Sequence, residues 1–160
     1  MVIASNKGSR TIPVKDVVTG PGSISLGPAE FIIVFLLEQP PHRTSDAYER
    51  FIPRTEMDIA VVDAAAKISL DESGNCKEAK IAIGAAAPTV IRVPEAEAIL
   101  HGKKINDQLL AEVMEVVSTA CNPINDKRGT IEYRRQVAGV LAKRVILLAE
   151  KRALDKRANK

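Results

Sequence analysis

Few residues in this chain have the type and spacing that chemistry needs. Its only histidines are His42 and His101. His42 lies in a polar stretch, and His101 stands beside Gly102 where a helix should end. Neither has a nucleophile at a spacing that marks a general base, so both read as exposed polar residues. Cys76 and Cys121 are far apart and match no metal-ligand pattern. They read as plain thiols in a reducing compartment. Gly20-Pro21-Gly22 lacks the later glycine and the strand-to-helix setting of a dinucleotide loop, and no Walker lysine follows a glycine loop. No catalytic residue and no metal set is therefore expected. Three features remain. Arg54, Glu56 and Asp58 alternate, so on a strand they share one face, either as an ion-paired strand end or as an anchor for a neighbouring domain or cofactor. Gly84, Ala85, Ala86, Ala87, Pro88 and Thr89 carry almost no side chain. That permits tight sheet-to-helix packing or the close approach of a flat ligand. The stretch Arg128 to Arg135 puts cations at the start of a helix, against its dipole. Arg134 and Arg135 therefore call for specific partners, acids within the chain or on another subunit.

The elements that must position these residues begin with a hairpin. Val62, Ala64, Ala66, Ile68 and Leu70 fall on one face of a long strand that starts near Arg54; Asp63, Lys67 and Ser69 fall on the other. Asp71-Glu72-Ser73-Gly74-Asn75 supplies the turn, and Ile81 and Ile83 alternate with Lys80 and Ala82 on the return strand. Pro88 biases Ala87 toward extended backbone, and Thr89 to Val93 is extended. Three helices follow. Pro94 at the first helical position opens one that Gly102 closes. Asn106 or Asp107 caps the second, with the stripe Leu109, Val113, Val116, Val117 and Ala120. Thr130 caps the third, which runs to about Ala153 with Val137, Leu141, Val145 and Leu148 inward. A hairpin with one apolar face needs a cover, and the helices provide it. The expected class is α+β, a small antiparallel sheet of about three strands covered on one face by three helices.

Upstream, the pattern is incomplete. Val2 to Ala4 and Arg10 to Val14 are short strand candidates, Lys15 to Val18 is a helical turn, and Glu30 to Leu37 is strongly β-prone until Gln39-Pro40-Pro41 ends it. These pieces are too short to bury their own apolar surface. The Phe31 to Leu37 strand must join a sheet completed by another polypeptide, or stand as an exposed edge. His42 to Asp46 reads as a polar linker, and Tyr48 to Pro53 as a short extended lead into the hairpin.

Composition narrows the classes further. At 160 residues the chain fits one medium domain, or one domain with a piece of another. Aromatics make up 3% and tryptophan is absent, so the core must be built from Ala, Val, Ile and Leu, and little is available to stack on nucleic-acid bases. The formal charge of +3 is concentrated in the basic C-terminus, Lys151 to Lys160, which suits a solvated helix end. The longest apolar run, Phe31 to Leu37, is too short to span a bilayer, and no signal peptide is read. Neither a nucleic-acid nor a membrane partner is expected, and the cytoplasm is the default location.

A family resemblance joins these stretches. FIPRTEMDIAVVDAAAKISL, AKIAIGAAAPTVIRVPEAEAILHGK and NPINDKRGTIEYRRQVAGVLAKR resemble, in order, the C-terminal domain of the FAD-binding medium subunit of molybdenum hydroxylases. That group includes carbon monoxide dehydrogenase and the xanthine dehydrogenase family. SRTIPVKDVVTGPGSISLGPAEFII resembles the tail of the FAD-binding domain that precedes it. The resemblance implies residues 1–45 as the end of an FAD-binding domain and 46–160 as the α+β domain that ends the medium subunit. It implies a role without chemistry of its own: helping to enclose FAD and to dock subunits within an oxidoreductase complex. Arg54 and Asp58 would be anchors, and Gly84, Ala85, Pro88 and Thr89 the bend nearest the flavin. The family's glycine-rich pyrophosphate motifs lie upstream of the matching region, so FAD would be shared with a chain carrying the N-terminal FAD-binding half. The molybdenum cofactor and [2Fe–2S] clusters would sit on sister subunits. The rival reading is a stand-alone interaction module without flavin, pairing through Glu30 to Leu37.

Overall fold

The computed structural model describes residues 1–54 and 59–155. The chain divides into two compact units, Met1–Gln39 and Pro40–Lys160.

The first unit is a set of short strands. β1 (Val2–Ser5) lies between β2 (Gly8–Thr11) and β5 (Phe31–Val34) in an antiparallel sheet. A 3-10 turn, Val14–Asp16, leads to the small pair β3 (Val18–Gly20) and β4 (Ser23–Ile24). Ile3 and Val17 are buried, but every residue from Phe31 to Leu37 is exposed, Leu37 at 90%. The strand expected over Glu30 to Leu37 thus forms over its first half and pairs on one edge only. Two-point contact between Arg10 and Glu30, both bonds 2.8 Å, ties β2 to the turn before β5. That guanidinium, with the Gly27 N–H, holds the Glu30 carboxyl down at about 2. A carboxyl lowered in the folded state contributes stability above its unfolded value and loses it as pH falls toward the folded value. Protection factors of the β1 amides, referenced to intrinsic exchange at each pH, are therefore expected to fall as pH drops from about 4.5 toward 2, and in Glu30→Gln that acid-dependent component should vanish.

The second unit is built on the hairpin. β7 (Val62–Leu70) and β8 (Cys76–Gly84) pair antiparallel, with Ala64 opposite Ile83 and Ala66 opposite Ile81. Asp71 makes the turn by accepting from the Asn75 backbone and side-chain amides at 2.8 and 3.0 Å, and Gly74 takes φ +86. β6 (Thr44–Phe51) pairs along the whole of β7, and β9 (Ile91–Arg92) adds to β8, giving the order β6-β7-β8-β9. Four strands are present where about three were expected. The polar stretch read as a linker is already strand from Thr44, because its residues alternate faces beside β7; Thr44 buries its hydroxyl on Ser69 Oγ at 2.8 Å.

α1 (Pro94–Leu100), α2 (Asp107–Ala120) and α3 (Ile131–Leu154) are the helices of the described residues. Asn106 Oδ1 accepts from the Leu109 N–H and Thr130 Oγ1 from the Tyr133 N–H, the two side-chain caps. One core unites the face of β7 carrying Val62, Ala64, Ala66 and Ile68 with Ile81, Ile83, Leu100, Leu110, Val113, Val117 and much of α3. The apolar face of α3 is wider than its expected stripe. Ala138, Ala142, Ile146 and Ala149 are buried besides Leu141 and Val145, because α3 packs on β6, β7 and α2 together. Glu97 of α1 accepts from the Ile81 N–H and from Arg92, so one carboxylate joins helix, β8 and β9.

Candidate functional site

Gly84 is the last residue of β8 and stands opposite Asp63. A Cβ there would lie 2.8 Å from Asp63 Cγ, so any larger residue would force the neighbouring carboxylate to move. Burial pushes the Asp63 carboxyl above its usual range, with Arg50 pulling it back. Ala85 follows at φ +57, a left-handed conformation that costs a non-glycine residue of order 1 kcal/mol. Ala86 is buried, its carbonyl accepting from the Asn122 N–H at 2.9 Å, whereas Pro88 and Val90 are exposed and Thr89 is half-buried. Arg54 lies in an exposed bend after β6, not at the start of a strand; β7 begins at Val62. Glu56 and Asp58 lie outside the described residues.

Arg134 and Arg135 have the partners that their awkward position demands. Arg134 is 4% exposed. Its Nη2 donates to Asp126 Oδ1 at 2.6 Å, and its Nη1 to the carbonyls of Val61 at 2.8 Å and Ala85 at 3.4 Å. Arg135 Nε donates to the Cys121 carbonyl at 3.0 Å. Arg134 Nε is buried with no acceptor among the described residues. The same guanidinium, with the Arg128 N–H, holds the Asp126 carboxyl below the usual range.

Sequence reasoning missed the face of the sheet away from the helices. The register sets Tyr48, Ala65, Ala82 and Arg92 in one row across all four strands, and Lys67 beside Lys80 in the next. Tyr48 is 59% exposed in the same row as the two alanines. An open groove of about 550 Å³ follows this row, and Arg152 lines it from α3. The signal was present in the alternation of Tyr48 with Arg50, but only the strand pairing puts small residues beside the ring. Among the described residues, no group of side chains is arranged to hold a metal ion, and no helix is long and apolar enough to cross a membrane.

Cys76 and Cys121 are free, buried thiols that burial pushes up to about 11. Neither is available as a thiolate nucleophile. Both are expected to resist alkylation in the native protein at pH 8 and to react together on unfolding in urea, which mass spectrometry reads directly.

Residues 47–149 match the family described as CO dehydrogenase flavoprotein C-terminal domain, well over half of the chain. The chain belongs to this family. Relatives extend the likeness to both units. The putative xanthine dehydrogenase FAD-binding subunit of Escherichia coli K12 is 34% identical over 145 residues, covering 90% of this chain and 49% of that protein. The carbon monoxide dehydrogenase medium chain of Afipia carboxidovorans is 28% identical over 147 residues, covering 92% and 50%. Among solved structures, reconstituted CO dehydrogenase from Oligotropha carboxidovorans superposes with a TM-score of 0.87 at 25% identity, covering 94% of this chain and 52% of that one. Quinoline 2-oxidoreductase from Pseudomonas putida 86 gives 0.83 at 28% identity, covering 97% and 53%. The chain thus spans about half the length of each of these four relatives. The α+β layout of a small antiparallel sheet under three helices is the CO dehydrogenase flavoprotein fold.

Proposed function

We propose that this chain is the C-terminal portion of the FAD-binding medium subunit of a molybdenum-hydroxylase-type oxidoreductase. It acts as a wall against the flavin and as a dock for sister subunits that carry molybdenum and iron–sulfur centres. The observation that carries the reading is the open sheet face, where Tyr48, Ala65 and Ala82 share one row and β8 runs on into the small-residue bend at Gly84 to Thr89. The two alanines leave a low floor between Tyr48 and Arg92 on which a flat ring could lie, and the relatives named above include FAD-binding subunits.

The same residues do not fit the rest of FAD. Each helix carries an acid in its first turn: Glu95 and Glu97 in α1, Asp107 in α2, Glu132 in α3. Those charges oppose a phosphate at the helix N-termini, where backbone N–H groups would otherwise favour one. The pyrophosphate is accordingly held by an N-terminal FAD-binding half outside the present sequence. The exposed β5 strand offers that half an edge on which to continue the sheet, burying Phe31 to Leu37. When bound, the flavin supplies the electron transfer; this chain's groups orient its ring and exclude water from it.

The test is co-expression with an upstream FAD-binding half and the sister subunits. Flavin absorbance near 450 nm is expected only when that half is present, and Phe35→Lys should weaken its capture. A complex that assembles fully yet stays colourless would sink the flavin reading and leave an interaction module pairing through β5.

A further inference from the structure

The open face of the sheet is not uniform along its central row. A solvated sheet face is ordinarily polar throughout. Here Ala65 and Ala82 leave the middle bare, and the two ends differ in chemistry. Tyr48 stands on β6 at one end and Arg92 on β9 at the other. Three strand spacings separate them, about 14 Å, which is room for a three-ring system to lie flat.

The flanking rows carry charge unequally. On one side Arg50 faces Asp63, and the two signs cancel. The other side runs Asp46, Lys67, Lys80. Arg152 joins it from α3, its Nη1 donating to the Asp46 carbonyl at 2.7 Å. With Arg92, the groove is lined by the cations Lys67, Lys80, Arg92 and Arg152 against the single acid Asp46. Asp46 lies on β6, so the positive excess is greatest toward β8 and β9. Two acids partner the cations from outside the lining. Glu78 is shared by both lysines, 3.9 Å from Lys67 and 3.4 Å from Lys80. Glu97 accepts from Arg92 at 2.8 and 2.6 Å. The groove therefore has an aromatic end and a cationic end.

We infer that these residues set the direction in which a flavin ring lies in the groove: its apolar benzenoid end against Tyr48, its polar pyrimidine end toward Lys80 and Arg92. The inference rests on the flavin reading above and deepens it. Lys80 and Arg92 stabilise the negative charge that reduction leaves on the pyrimidine end. That charge is what remains when two electrons arrive from the iron–sulfur centres and water supplies one proton to a ring nitrogen. The two cations therefore raise the flavin's reduction potential.

The test uses the assembled, flavin-bearing complex and reads the two-electron midpoint potential of the flavin at pH 7. Lys80 is the cation to change, because its pairing is loose and its side chain is 47% exposed. Removing Arg92 would strand Glu97, which also holds the Ile81 N–H. Lys80→Gln is expected to lower the potential by about 30 mV, a tenfold change in the two-electron equilibrium. Lys80→Arg keeps the charge and should keep the wild-type potential. The Lys80→Gln shift should shrink as salt is added, since the groove is open to water. Lys143→Gln removes a cation paired with Asp107 outside the groove, and should leave the potential unchanged. Tyr48→Lys places a charge at the benzenoid end and should raise the potential by less than Lys80→Gln lowers it. A Lys80→Gln shift no larger than that of Lys143→Gln overturns the inference and leaves the flavin reading standing. A Tyr48→Lys rise larger than the Lys80→Gln fall turns the ring around and overturns it as well. A wild-type complex without flavin overturns the flavin reading, and the inference with it.

Discussion

Gly139→Leu is expected to destabilise the second unit by about 3 kcal/mol or more, the upper range of overpacking. Gly139 is buried where α3 crosses α2. A Cβ there would lie 2.8 Å from the Met114 carbonyl oxygen and 2.8 Å from Ser118 Oγ. The first is backbone and cannot rotate away. The second is committed, since Ser118 Oγ donates to the Arg135 carbonyl at 2.9 Å. Two effects compete in the milder Gly139→Ala. Helix propensity favours alanine by about 1 kcal/mol. The close approach opposes it, and because a backbone atom must move, we expect a net loss of about 1 kcal/mol. Urea melts followed at 222 nm decide the matter. A gain in stability for Gly139→Ala would show that propensity governs and that the two helices have room to separate.

The second large effect is expected at Ile83. It is fully buried on β8, opposite Ala64 on one side and Ile91 on the other. With no tryptophan in the chain and alanine at several neighbouring core positions, few large side chains are at hand to refill a void. Ile83→Ala should therefore cost about 3 to 5 kcal/mol, transfer and cavity together. Val90→Ala removes a smaller apolar group from an exposed position and should change stability by less than about 0.5 kcal/mol. If the two substitutions cost the same, the core does not lie between sheet and helices. Ile83 also precedes Gly84, so its loss should loosen the bend as well as the sheet. Amide exchange at Ala85 to Thr89 would then rise faster than exchange in α2.

Much of this architecture was legible before any coordinates, and the reasons are local. The hairpin showed as period-two alternation in Val62 to Leu70 and again at Ile81 and Ile83, separated by a turn whose Asp71 and Gly74 make its contacts within a few residues. Helix starts showed through Asn106, Thr130 and Pro94, each of which satisfies or spares an N–H one turn away. The awkward cation at Arg134 announced that it needed a partner, since the dipole penalty follows from position alone. Resemblance to a known family supplied the flavin reading, which periodicity could never have named.

Long-range register decided the rest. Nothing near Thr44 in sequence marks it as strand; it becomes one because β7 lies alongside. Gly84 looked like room for a ligand, yet its first reason is the Asp63 carboxylate, a neighbour only when β7 and β8 pair in their actual register. Tyr48, Ala65, Ala82 and Arg92 form one row across four strands though they are scattered along the chain. Arg134 reaches the Val61 carbonyl across 73 positions of sequence. By itself the sequence determined the central hairpin, the three helices and which face of each is apolar, because those preferences act within a turn or a pleat. Tertiary structure alone decided what the small bend adjoins, which face lies open and where the buried guanidinium goes, because each depends on backbones that meet only after the sheet and helices have packed.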